Sequence, residues 1–227
     1  RGRGYLDAEV SVGDLSIDSE EGEAHLTIEI AEGPLTLVEG ISVFGAEAFS
    51  DSLLEAMSGI RPGEPFSRGR VNDAVVEMLA HYADHGYLDA VVTPDVRIND
   101  EIDRALVDIM VEEGSQSRVD SIRIEGNSRT RRNVVVRELS FHEGEVMEYS
   151  SLLRSQRRLY MTGLFRSVFV RPAGREESEG TSRDVLIELE ENYSMEANFL
   201  VGYGSLERFR GRVELVDNNI AGTGRKA

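Results

Sequence analysis

Apolar residues in this chain follow two different periods in turn. Val38, Ile41 and Val43 stand at strand-like intervals that stop at Gly45, as in a short strand with one buried face. Ser50 then offers a helix N-cap, with Leu53, Leu54 and Met57 on one face of a short helix behind it. "RPGEPF" (61–66) is turn chemistry. Ser67 caps a longer helix in which Val71, Val75, Met78, Leu79 and Tyr82 form an apolar stripe, and Gly86 stands where a C′ glycine ends it. Two alternating strands follow, about 89–98 and 104–112, joined by the turn residues "NDEID". The predicted unit is β-α-α-β-β, with two helices on one face of a three-stranded sheet.

The unit is written more than once. "GYLDAEV" (4–10) returns as "GYLDAVV" (86–92) and, more loosely, as "GLFRSVF" from Gly163. "IEIAEG" (28–33) is followed 81 residues later by "IMVEEG" (109–114), and 78 residues after that by "IELEEN" (187–192). "VEGISVFGAEAF" (38–49) parallels "VDSIRIEGNSRT" (119–130), and "PGEPFS" (62–67) parallels "EGEVME" (143–148). Markers kept in one order define a tandem array. It divides into 1–33, the last two strands of one unit; 34–114, complete; 115–193, complete; and a tail, 194–227. In the third unit a strand is expected over Val119–Glu125, helices near 130–139 and 150–162, and strands over Ser167–Pro172 and Asp184–Glu190. A lone hairpin is marginal in water, so further residues are expected upstream of Arg1.

The tail changes the pattern again. Met195, Ala197, Phe199, Val201 and Tyr203 alternate onto one face. Phe209, Val213 and Leu215 do the same in the next stretch, against Arg208, Arg210, Arg212 and Glu214. Taken alone this is an amphipathic hairpin. It is also the signature of strands in an outer-membrane barrel, apolar outward and polar inward.

Charge and composition narrow the classes. The chain is 40 % hydrophobic and 30 % charged, a globular balance. It has no cysteine, hence no disulfide or thiolate metal site. No apolar run reaches the roughly 18 residues of a membrane helix. The net charge of −17 is uneven. Residues 1–33 carry 9 acids and 2 bases, 34–114 carry 16 and 5, 115–193 carry 13 and 13, and 194–227 carry 4 and 5. An acidic N-terminal half repels nucleic acid, which excludes a general nucleic-acid binder.

The repeated β-α-α-β-β unit of about 80 residues, with G-Y-x-x-A after its second helix and E-G closing its last strand, resembles POTRA domains. "I-x-I-x-G-N" at Ile122–Asn127 is similar to the way such domains begin. "Y-x-x-G-L-F" at Tyr160–Phe165 is similar to the last POTRA domain of BamA-type outer-membrane protein assembly factors. "DNNIAGTGRK" resembles the loop after the first barrel strands of that family, with Asn219, Gly222 and Gly224 at its N-x-x-G-x-G positions. The resemblance implies an α+β fold of tandem POTRA units with mixed sheets, followed by the first hairpin of a barrel. It implies a periplasmic arm at the bacterial outer membrane that binds unfolded outer-membrane proteins and accessory periplasmic lipoproteins. A TamA-like factor, a two-partner secretion transporter and a free periplasmic peptide-binding repeat protein are the alternatives. Without a closed barrel the tail hairpin is expected to pair with other molecules.

Candidate binding residues follow from the sheet. Proline cannot donate to a ladder, so Pro94 marks its strand as an edge, and Pro172 closes the equivalent strand one position out of register. Val92, Pro94, Val96 and Ile98, with Val168 and Val170 in the third unit, form the candidate edge for an added peptide strand. The alternative is that these prolines merely block unwanted aggregation. A second candidate is basic: Arg129, Arg131 and Arg132 open one helix of the last unit, and Arg154, Arg157 and Arg158 lie on the next. Beside a barrel they can approach anionic headgroups; otherwise they are a solvated face paired with Glu138, Glu143, Glu145 and Glu148.

Catalytic constellations are weak. His81 and His85 have i, i+4 spacing, but "YAD" lies between them, and the third unit has Arg158 and Thr162 there. The glycine clusters "GYGS" and "GTGRK" lack the strand–loop–helix setting of a phosphate cradle. No carboxylates pair as an acid/base dyad. The expectation is a binding protein without cofactor, metal or enzymatic activity.

Overall fold

Burial on the two central strands shows how the sequence builds its layers. Ala105, Val107, Ile109 and Val111 alternate with Leu106, Asp108, Met110 and Glu112, and only the first set is buried. Val185, Ile187 and Leu189 repeat that arrangement in the third unit. Each set faces two helices, and the other face of each sheet carries cross-strand ion pairs: Arg97 with Asp108, Arg123 with Asp184, Arg166 with Glu190, Arg171 with Glu188. The computed structural model describes residues 4–18, 23–173, 181–193, 195–204 and 208–225.

The order is β1 (Glu9–Asp18), β2 (Glu23–Ala31), β3 (Leu37–Phe44), α1 (Asp51–Met57), α2 (Arg68–Asp84), β4 (Val91–Asn99), β5 (Arg104–Glu112) and β6 (Arg118–Glu125). Then come α3 (Arg132–Val136), α4 (Tyr149–Met161), β7 (Phe165–Pro172), β8 (Ser182–Glu191), β9 (Met195–Gly204) and β10 (Arg208–Asp217). β3 pairs parallel to β5 and β4 antiparallel to it, giving a mixed sheet in the order β3-β5-β4. The third unit repeats it as β6-β8-β7. The fold is α+β, with tandem β-α-α-β-β units as the sequence indicates. β1 with β2, and β9 with β10, form separate antiparallel hairpins.

By internal contacts the chain separates into two compact units. The first is Arg1–Tyr82 with Asp89–Gly114, the second Ala83–Leu88 with Ser115–Ala227. The first core gathers Leu54, Phe66, Met78, Tyr82, Val107 and Ile109, all essentially inaccessible. The second gathers Val135, Met147, Leu152, Leu159, Val185 and Ile187.

Several details depart from the sequence reading. In α1 the Ser50 hydroxyl accepts the Leu53 N–H as expected of an N-cap, but only Leu54 is buried and Leu53 is exposed. In α2 the buried stripe is Val71, Ala74, Met78 and Tyr82, while Val75 and Leu79 are half-buried. Leu88, in the repeated heptapeptide after α2, packs against the core of the second compact unit. Helix α3 spans five residues rather than the ten expected over 130–139. Three consecutive valines disfavour a longer helix. Moreover, Thr130 and Arg131, just ahead of it, give their N–H groups to Glu191 and Gly222.

Candidate functional site

Proline lacks an N–H, yet the β4–β5 register runs unbroken from Val91–Glu112 to Asn99–Arg104, with Pro94 opposite Ile109. The Pro94 nitrogen therefore points away from β5, towards the open edge. Backbone direction alternates along an antiparallel strand, so Val92, Val96 and Ile98 present their N–H and C=O groups the same way. Their side chains lie on the core face, with Val92 buried and Val96 and Ile98 half-buried. Among the described residues no side chain hydrogen-bonds the backbone of these three. The edge of β4 thus offers a ladder interrupted once, at Pro94.

The edge of β7 differs. Val168 and Val170 are buried, and the Val170 N–H already donates to Gln156 Oε1 of α4 at 3.2 Å. Aligning Gly86 with Gly163 puts Leu79 where Gln156 stands, and leucine has no acceptor. Nothing in the periodicity of α4 sets Gln156 apart, because a half-buried glutamine fits a helix flank equally well.

The basic residues do not share one surface role. Arg132 reaches the Ile122 carbonyl at 2.9 Å. Arg154 contacts the Ser151 hydroxyl and Glu148, and Arg158 pairs with Glu138. Glu143 accepts the Ile122 N–H, and Glu145 the His142 N–H. Arg157 is exposed on α4. Arg129 and Arg131 act through their backbone, as donors to Glu191 and Gly222.

That backbone belongs to the second feature of the site. The segment after β10 turns tightly through Ile220–Gly222, with Ala221 and Gly222 both at positive φ. Asn219 Nδ2 donates to the Thr130 hydroxyl oxygen at 2.9 Å, and the Arg131 N–H donates to the Gly222 carbonyl at 3.0 Å. Asn219 Oδ1 accepts the Gly224 N–H, closing the loop on itself. Gly222 has φ +72°, and a Cβ there would lie 2.0 Å from the Arg129 carbonyl oxygen. Gly224 rests against Val134, Arg137 and Leu164. The N-x-x-G-x-G and Y-x-x-G-L-F segments, found separately in the sequence, thus meet in space.

Beneath the loop sits a carboxylate the sequence reading passed over. Glu191 accepts the N–H groups of Arg129 and Thr130 and the Ser128 hydroxyl. Burial pushes its carboxyl up, but the Thr130 N–H and hydroxyl, the Ser128 hydroxyl and the Arg129 N–H outweigh burial and hold it below the usual carboxylate range. Glu113, at the matching position of the preceding unit, accepts the N–H groups of Glu47 and Ala48 and the Tyr82 hydroxyl. The signal was present in "IMVEEG" and "IELEEN", where the second acid returns with the repeat. His81 lies against the Phe49 ring at 4.5 Å, and the His85 carbonyl accepts from Gln116.

On the tail hairpin, Met195, Phe199, Val201, Val213 and Leu215 are exposed, and Phe199 pairs with Val213. Leu200, on the opposite face, is exposed as well. Tyr203 and Phe209 pair in register.

The family model described as POTRA, surface antigen variable number repeat, matches residues 36–114 and 117–192. An outer membrane protein assembly factor BamA from Neorickettsia risticii is 27 % identical over 226 residues, 98 % of this chain and 30 % of the relative. The protein of the same name from Nitratidesulfovibrio vulgaris is 24 % identical over 225 residues, 97 % of this chain and 28 % of its own length. The chain therefore spans under a third of these relatives. The crystal structure of Haemophilus influenzae BamA POTRA domains 3 to 5 superposes with TM-score 0.62 at 22 % identity, covering 84 % of this chain and 75 % of that one. BamA from Haemophilus ducreyi lacking POTRA domains 1 to 3 gives 0.68 at 22 % identity, covering 85 % and 35 %. At that identity the structures show a shared fold.

Proposed function

The chain belongs to the POTRA family, and from that premise we propose that it is the repeat arm of an outer-membrane protein assembly factor. In this reading 1–33 ends one repeat, 34–114 and 115–193 are whole repeats, and 194–227 begins a barrel. Its task is to hold extended segments of unfolded outer-membrane proteins at the periplasmic face of the outer membrane before they insert. The protein binds and aligns, with no covalent chemistry. Accessory lipoproteins are its further partners, and the bases of the last repeat lie towards the membrane surface.

The observation that carries this reading is the edge of β4. Val92, Val96 and Ile98 aim unbridged backbone groups outward, and an extended peptide can extend the sheet there. Backbone pairing is nearly indifferent to side chains, which suits a receptor for many clients. Pro94 removes one donor in the middle, which shortens any paired segment and limits runaway association. The exposed apolar residues of β9 and β10 support the membrane half of the reading.

The test is photo-crosslinking from Thr93, exposed on β4, to an unfolded barrel protein. An adduct is expected. Val96→Pro deletes an outward donor without touching the β4–β5 ladder, so capture should fall about fivefold, the worth of one backbone hydrogen bond. No adduct at Thr93, or full capture by the proline variant, would overturn the proposal.

A further inference from the structure

The loop after β10 is held more tightly than a connection between two independent parts requires. Three distant segments form its seat: Thr130 ahead of α3, Leu164 after α4 and Glu191 at the end of β8. Thr130 and Leu164 are both buried. The Thr130 hydroxyl links the layers, accepting from Asn219 and hydrogen-bonding Glu191. The Arg131 N–H, which would otherwise be an unpaired donor at the start of α3, finds its acceptor in Gly222. The 2.0 Å approach to the Arg129 carbonyl leaves no room for a side chain at position 222.

We infer that residues 218–225 are a fixed joint, by which the last repeat sets the position of the β9–β10 hairpin. Thr130, Leu164 and Glu191 are then positioning residues for that hairpin, acting through Asn219, Gly222 and Gly224. The loop closes its own ring through Asn219 Oδ1 and the Gly224 N–H, and through the Ile220 N–H and the Arg225 carbonyl. It therefore seats as a preformed shape, with little entropy left to lose on docking. Where the hairpin enters a membrane, the consequence is that the first barrel strands cannot turn independently of the repeat that delivers clients. This consequence rests on reading the tail as barrel strands; the seat does not.

The experiment follows the Arg131 amide by hydrogen exchange in the full chain, with spin labels at Leu200 and Tyr160, both exposed, reporting the distance from hairpin to repeat. The parent should protect Arg131 and give one narrow distance distribution. Gly222→Ala should speed Arg131 exchange at least about tenfold and broaden the distribution, with the amides of β8 still protected. Asn219→Ala, which overlaps nothing, should produce the same change more weakly and guards against a variant that fails to fold. Parent exchange at the open rate, or a parent distribution as broad as that of Gly222→Ala, would overturn the inference. Labels at Phe199 that stay in water when the chain meets lipid vesicles, with Arg131 still protected, would instead refute the barrel reading and leave the joint standing.

Discussion

The carbonyl oxygen of Gly86 accepts the backbone N–H of Ser117 at 2.8 Å, and Gly4 does the same for Thr36 at the same distance. Both glycines open the repeated heptapeptide, and both have positive φ, +87° and +90°. The repeat therefore encodes more than a helix stop. A residue without a side chain leaves its carbonyl and α-carbon face bare, and backbone some thirty positions later lies against it. At the third, looser copy the neighbour is different: Asn192 donates its N–H to the Leu164 carbonyl and its side chain to that of Gly163. Leu164 then also meets Gly224. Where another sheet would follow, this copy holds the end of β8 and the tail loop.

Gly86→Ala should therefore be costly. The left-handed conformation alone penalises alanine by about 1–2 kcal/mol. A Cβ would also lie 2.7 Å from Val146 and 3.1 Å from the Ser117 carbonyl. Denaturant unfolding of the full chain should show the second compact unit weakened by about 2 kcal/mol or more, with faster amide exchange at Ser117. An unchanged midpoint would mean that the turn relaxes without loss.

The element order and the edge position of β4 were legible in the sequence, because each depends on neighbours; the mixed sheets followed only from the family resemblance, since β3 pairs with β5 across both helices. Periodicity places β5 and α2, and one proline declares an edge. What was not legible depends on residues far apart. Helix α3 starts late because Thr130 and Arg131 are bonded to residues 61 and 91 positions away. Leu53 and Leu54 are alike in the sequence, and only the direction of α1 over its sheet decides which is buried. Val170 is as open as Val96 by sequence pattern, and only the Gln156 carboxamide on its N–H distinguishes them. The seat of Asn219 could not be read at all, since the partner that docks it is a threonine hydroxyl far away in the chain.

The depressed Glu191 carboxyl has a direction in pH. A group that titrates lower when folded adds stability that is complete above its unfolded value and is lost as pH falls through the folded one. Asp184 and Glu188 are also lowered, by the Ser121 hydroxyl and by Arg171 respectively. The second compact unit should thus hold its stability at neutral pH and lose it on the acid side of the ordinary carboxylate range. Glu191→Gln separates the contributions. It should cost about 1–2 kcal/mol at neutral pH, since charged acceptors make the stronger bonds, and flatten the acid slope. Thermal melts from pH 7 to pH 3 decide this, and a parallel slope in both proteins would remove Glu191 from the account.

Ala221 occupies the left-handed region, φ 52° and ψ 27°, beside Gly222 in the seated loop. Alanine is strained there and glycine is not, while glycine also frees the unfolded chain. The balance favours Ala221→Gly by about 0.5–1 kcal/mol. Arg131 exchange should slow by about twofold to fivefold. Faster exchange would show that the alanine methyl group contributes contacts worth more than the strain.

Gln156 keeps the edge of β7 closed at one point, and its removal is the sharpest contrast with β4. In Gln156→Leu the Val170 N–H loses its acceptor, and the residue becomes the one that α2 carries at the matching position. Leucine favours helix at least as well as glutamine, so α4 should persist and the melting temperature should change little. The donor released at the edge is available to an incoming strand. Photo-crosslinking from Phe169, exposed on β7, should show little capture of an unfolded barrel protein by the parent and about fivefold more by the variant. Capture at Thr93 on β4 should stay constant in both. If β7 remains inert after the substitution, the body of α4 lying along the strand, rather than the Gln156 carboxamide, is what closes that edge.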